Sequence, residues 1–233
     1  AIDPTFSEAH NNLGLALMDL GLHESAISSY NTAKNQTPDS AEVRKNIGII
    51  NLLKGNFKIG WEEYSWRRFE KNTELTKRIY SQPLWNGEDL NGKTIFVYTE
   101  QGFGDTIQFV RYLDLLREQG GRVVLDAQLS LVPLLEEMES INVLLKENDL
   151  IPPFDFHVPL MELPRLFSTN AENIPAPNAY LMANEELVEA WKERLGPKKG
   201  YRVGIVWAGS PTHQDDYNRS MMPELFIPLT KVP

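Results

Sequence analysis

A chain of 233 residues with 42% apolar side chains is long enough to bury more than one core. Its net charge of −9 argues against a nucleic-acid backbone or an anionic membrane as the main partner, and no run approaches the ~18 apolar residues of a membrane span. Zero cysteines rule out disulfides, thiolate metal sites and cysteine nucleophiles together; with no secretory signal at the start, a cytoplasmic location is the default expectation.

The first third is a repeat. Sliding the chain by 34 residues brings Leu13-Gly14 onto Ile47-Gly48, Asn12 onto Asn46, Gly21 onto Gly55, Ala26 onto Gly60 and Tyr30 onto Tyr64. That period, with small residues where paired helices cross and Pro38 closing the unit, matches the tetratricopeptide pattern. A repeat domain is expected over 1–71, its units covering about 7–40 and 41–74. Ala1-Ile2-Asp3-Pro4 reads as the tail of an earlier repeat, so the array is expected to begin upstream. The aromatics Trp61, Tyr64, Trp66 and Phe69, with Trp85 further on, are expected to dock the array onto the next domain.

Residues 72–93 carry two Asn-Gly turn signals and read as a connector. From 94 onward, strand and helix patterns alternate. Strands are predicted at 94–98, 122–127, 141–145, 154–158 and 202–207, and helices at 105–119, 130–138 and 185–195. The fold class expected is therefore α + α/β: tetratricopeptide helical repeats, then a Rossmann-like parallel-sheet domain over 94–222. The proline-rich span 151–181 reads as an ordered crossover, because Leu160, Leu163, Leu166 and Phe167 still need burial. Residues 223–233 are expected to open a second domain.

Two loops are candidate sites. Residues 99–113 (TEQGFGDTIQFVRYL) run from a strand through a glycine turn into a helix. At such a turn backbone N–H groups face the ligand crevice of an α/β sheet. Gln101, Gly102 and Gly104 would meet a ligand there, with Asp105 at the mouth. The pattern is not GxGxxG, and a plain tight turn with no ligand fits it too. Asp105 followed by Gln108 also reads as a capping-box-like helix start, and the separation of Glu100 from Asp105 is open. The second loop, 207–220, offers Ser210, Asn218 and Arg219 beyond a strand's carboxyl end; the Arg219 guanidinium fork suits a phosphate, and a surface or packing arginine fits the pattern equally. His213 with Asp215 and Asp216 is better read as a solvated loop than as a metal cluster, so no metal is expected. His157, on an apolar strand, reads as a core or crevice histidine.

Three stretches carry a family resemblance: Glu100 to Tyr112, Pro153 to Leu160, and Val203 to Pro211. In this order they resemble bacterial tetratricopeptide-repeat glycosyltransferase-like proteins, relatives of O-linked N-acetylglucosamine transferases and of lipopolysaccharide heptosyltransferases. The resemblance implies a GT-B fold, two Rossmann-like domains facing across a cleft, with the second domain absent from this chain. It implies Asp105 as catalytic base, and Ser210 and Arg219 as contacts to donor phosphates. The donor would be a nucleotide-sugar, with no cofactor, and the repeat groove would hold a protein or glycan acceptor. Enzymatic activity stays open for this chain by itself. The alternative is a non-catalytic interaction module whose repeats bind a partner and whose α/β part is a scaffold.

Overall fold

The computed structural model of the chain describes residues 6–71, 73–176, 179–197, 200–211 and 216–231. The chain divides into two compact units, Ala1–Asn184 and Glu185–Pro233.

The first unit opens with four helices: α1 (Ser7–Asp19), α2 (His23–Gln36), α3 (Ala41–Leu53) and α4 (Phe57–Tyr64). They form two antiparallel hairpins that start 34 residues apart. Gly21 and Gly55 end α1 and α3 in the left-handed region, at φ 72° and 78°, where a side chain would be strained. Ser40 caps α3 by accepting the Val43 N–H at 3.4 Å. Glycine lets the helices of each hairpin touch: a Cβ on Gly14 would lie 2.4 Å from the Tyr30 ring, and one on Gly48 would lie 2.4 Å from the Tyr64 backbone nitrogen. Around these contacts Ala26, Tyr30, Ala33, Val43, Ile47 and Ile50 are buried as one cluster.

After α4 the chain tightens into a 3₁₀ turn, Ser65–Phe69, and a short helix, α5 (Glu74–Lys77). A sheet of four parallel strands comes next: β1 (Thr94–Tyr98), β2 (Arg122–Asp126), β3 (Val143–Leu144) and β4 (Phe156–Pro159), in the order β3-β2-β1-β4. In the stretch expected as a connector, Leu84 forms a parallel bridge to His157 at the edge of the sheet. Alternation along β1 splits the core in two. Ile95 and Val97 join Val123, Leu125 and Val158 on one face, while Phe96 and Tyr98 join Val124 on the other. Burial on both faces explains why these strands are almost uninterrupted apolar runs.

Helices α6 (Phe103–Phe109) and α7 (Leu113–Glu118), separated by a 3₁₀ turn at Val110–Tyr112, connect β1 to β2. Helix α8 (Val132–Leu135) connects β2 to β3, and α9 (Leu163–Leu166) comes after β4. They supply Val110, Leu113, Leu116, Leu135 and Leu163 to the first core face.

The second unit holds α10 (Glu185–Leu195), α11 (Asp216–Arg219) and a 3₁₀ segment, Pro223–Lys231. The strand predicted at 202–207 is not formed. Val203 and Val206 are 74% and 89% exposed, because their alternating apolar pattern meets no hydrogen-bonding strand among the described residues of the unit. A strand exists only through a neighbour that pairs its backbone groups.

Candidate functional site

In a parallel sheet of this order, β1 has β2 on one side and β4 on the other, so successive connections leave in opposite directions from the gap between β1 and β4. Ligands of open α/β sheets sit beyond the strands' carboxyl ends at such a gap. The residues that leave β1 and β4 there are Thr99 to Asp105 and Leu160 to Glu162.

The glycine turn begins α6. Gly102 is its N-cap, and Asp105, three residues on, reaches back so that its Oδ2 accepts the Gly102 N–H at 3.1 Å. Asp105 is therefore the returning half of a capping box and not the cap that a pairing with Gln108 suggests. Glycine has no side chain with which to cap, so the orphan N–H is met by the carboxylate in the first turn, where the helix dipole also favours it. Gln101 is exposed, and its carbonyl accepts from Gln128 Nε2 at 2.7 Å. Gln128 Oε1 in turn accepts from the buried Thr106 hydroxyl at 2.8 Å, which ties the turn to the segment after β2. Among the described residues a Cβ built on Gly104 meets nothing within 4 Å, so none of them requires glycine there.

Beside the turn lies a buried ion triad. Arg67, on the 3₁₀ turn Ser65–Phe69, grips Glu100 through Nε (3.3 Å) and Nη2 (2.6 Å), and Glu162 through Nη1 (2.6 Å). Its side chain is 3% exposed and both carboxylates 1%. Arg165 Nε reaches Glu162 at 3.1 Å and Arg68 Nε lies at 3.8 Å, so Glu162 is shared among three guanidinium groups while Glu100 has one. Burial disfavours the charge on Arg67, but the two carboxylates outweigh it and hold the guanidinium protonated. Burial pushes the Glu100 carboxyl above its ordinary range, and its single guanidinium offsets this only in part. Glu100 and Asp105 are accordingly not an acid pair: one is locked to Arg67, and the other closes the helix start.

The remaining candidates fall elsewhere. Ser210, Asn218 and Arg219 belong to the second unit and are exposed, Arg219 at the end of the four-residue α11. The loop there is organised by Ser220, whose Oγ donates to Asp216 Oδ1 at 2.6 Å and accepts the Gly209 N–H at 2.9 Å. His213 and Asp215 lie outside the described residues. His157 sits in an aromatic cluster, its ring 5.9 Å from Tyr98 and 4.8 Å from Tyr80, with Nδ1 3.3 Å from the Tyr98 hydroxyl. Burial lowers its pKa and keeps it neutral.

The expected aromatic seam is divided. Trp61 packs edge-on to Phe109 at 5.9 Å and, with Tyr64, joins the sheet core that contains Trp85. Trp66 instead stacks beneath Arg44 at 3.8 Å and beside Phe69, which is 59% exposed. Arg67 and Glu162 were not legible as functional residues, because each is one charge among many in a helical or proline-rich stretch. The only local hint was the position of Glu100, directly before the glycine turn.

No protein-family model matches the chain. Protein FlbA of Caulobacter vibrioides is similar to it, 30% identical over 229 residues that take in 88% of this chain. The chain spans 38% of the length of that curated relative. Among solved structures, a mutant of the Thermobaculum terrenum O-GlcNAc transferase is similar at 13% identity, with 53% of this chain and 31% of the other covered and a TM-score of 0.26. A likeness at that level assigns the chain neither a fold nor an activity.

Proposed function

We propose that the chain is part of a glycosyltransferase-like protein. The parallel sheet and its glycine turn form one wall of a nucleotide-sugar transfer cleft, and the two helical hairpins, read as tetratricopeptide repeats, present a protein or glycan acceptor. The observation that carries this reading is Gly104. A glycine inside a helix costs up to about 1 kcal/mol relative to alanine, and no packing contact among the described residues asks for it. It leaves open space beside a carboxylate, at the carboxyl end of β1, where such sheets take ligands. The three ordered motifs that resemble the glycosyltransferase-like family add weight.

In this reading Asp105 keeps the Gly102 N–H on Oδ2 and takes the proton of the acceptor hydroxyl on Oδ1. The hydroxyl oxygen attacks the anomeric carbon, the bond to the donor phosphate breaks, and the nucleoside diphosphate leaves with the electron pair. Gln101 and Gly102 would contact the donor or acceptor at the turn. On the family resemblance, phosphate contacts are assigned to Ser210, Asn218 and Arg219, with no metal needed if cations and backbone N–H groups balance the leaving charge.

A second reading, a non-catalytic interaction module, is favoured by the triad: Glu100, the carboxylate directly before the turn, is already neutralised from within by Arg67. Thermal shift against a panel of nucleotide-sugars, on the protein with its natural flanking sequence, identifies a donor. Turnover is then measured for Asp105→Asn and Gly104→Ala. Asparagine can still accept the Gly102 N–H, so stability is expected to change by under about 0.5 kcal/mol, while loss of a general base lowers turnover by about 10²–10⁴-fold. Gly104→Ala is expected to hold or raise stability and to lower turnover. Turnover within a few-fold of wild type for both variants would leave the interaction-module reading standing.

A further inference from the structure

We propose that Arg67, on the 3₁₀ turn that follows the helical hairpins, is a positioning residue that sets the place of the glycine turn at the carboxyl end of β1. The geometry is specific to a guanidinium. Its planar fork takes both oxygens of Glu100, its third nitrogen takes Glu162 and the Tyr64 carbonyl at 3.2 Å, and the Tyr64 ring lies 4.6 Å from its centre. Four of its five N–H groups have partners among the described residues, and a lysine ammonium has no such fork. Glu100 and Glu162 leave neighbouring parallel strands, so one arginine crosslinks both lips of the gap between β1 and β4.

Glu100 directly precedes Gln101, Gly102 and Asp105. Besides Arg67, the Met161 backbone amide favours the charged form of its carboxylate. Without Arg67 the Glu100 carboxylate has no cation paired with it among the described residues, and it would have to take up a proton or leave its site, drawing the turn with it. Stability alone does not call for this device, since well-packed apolar side chains often replace buried ion groups at no loss. What an apolar replacement lacks is direction: it would let the turn slide, whereas the fork fixes one position. This role holds whether or not the turn transfers a glycosyl group, so its failure and that of the proposed chemistry are separable.

The test is residue-resolved amide hydrogen exchange in the 233-residue chain. The reporters are the Gly102 N–H, bonded to Asp105, and the Thr106 N–H, bonded to the Gly102 carbonyl at 3.2 Å. Arg67→Lys keeps the charge and removes the fork; Arg67→Met with Glu100→Leu removes two of the three buried charges, leaves Glu162 to Arg165 and Arg68, and keeps the volume. Exchange at Gly102 and Thr106 is expected to rise at least about tenfold in each variant that melts within a few degrees of wild type, with the β1–β2 ladder unchanged. If the double variant fails to fold, Arg67→Lys decides. Unchanged exchange at both amides in a folded variant would overturn the proposal and reduce Arg67 to a contact that holds the hairpins on the sheet.

Discussion

Gly48→Ala tests how the repeat places the segment after it. A Cβ at 48 would lie 2.4 Å from the Tyr64 nitrogen, 2.6 Å from its Cα and 2.8 Å from its Cβ. Backbone atoms cannot rotate away as a side chain can. Helix α4 would have to back off α3 by about 1 Å to restore ordinary contact. Overpacking of this kind costs about 1–3 kcal/mol, and alanine returns up to about 1 kcal/mol of helix propensity. The net expectation is a loss of about 1–2 kcal/mol, or roughly 2–8 °C in melting temperature for a chain of this size. Thermal and urea unfolding monitored by circular dichroism would measure it. Tyr64 leads directly into the turn that carries Arg67, so the displacement also reaches the triad, and the same sample is expected to show faster exchange at Gly102. A melting temperature equal to or above wild type would refute the claim that glycine is there for helix contact.

Trp61→Ala is expected to cost about 3 kcal/mol, the low end for a tryptophan truncation, and Trp66→Ala about 1 kcal/mol from its lost contact with Arg44; an equal or larger loss at Trp66 would contradict the assignment of docking to Trp61. His157 is expected to titrate below its ordinary value of 6.5, because burial disfavours the imidazolium. Its neutral form supports the fold above that value, and this support is lost as pH falls through the lowered pKa. An NMR titration of the His157 ring with a midpoint at or above 6.5 would refute it.

Periodicity made most of the framework legible. The 34-residue offset placed both hairpins because helix pairs must bring small residues to their crossings, and Gly14 and Gly48 do so against Tyr30 and Tyr64. Strand β1 was bounded correctly because a run of Thr94, Ile95, Phe96, Val97 and Tyr98 between turns has no helical period. The pattern at 202–207 misled for the same reason in reverse: alternation says what a strand would bury, not whether a partner is present to pair it. Trp85 and Trp61 were grouped with Trp66 and Phe69 by type, and the tertiary structure separated them by neighbour.

The amino-acid sequence by itself determined the repeat, the glycine turn and the presence of Asp105 within it, since local spacing and backbone freedom are properties of a few adjacent residues. Only the tertiary structure decided that Asp105 caps its own helix through Gly102, and that Arg67, Glu100 and Glu162, drawn from three distant stretches, meet in one buried triad. Charges near the surface of a helix look alike in sequence. What distinguishes Arg67 is burial between two strand ends, a relation set by the order of the sheet and the docking of the hairpins.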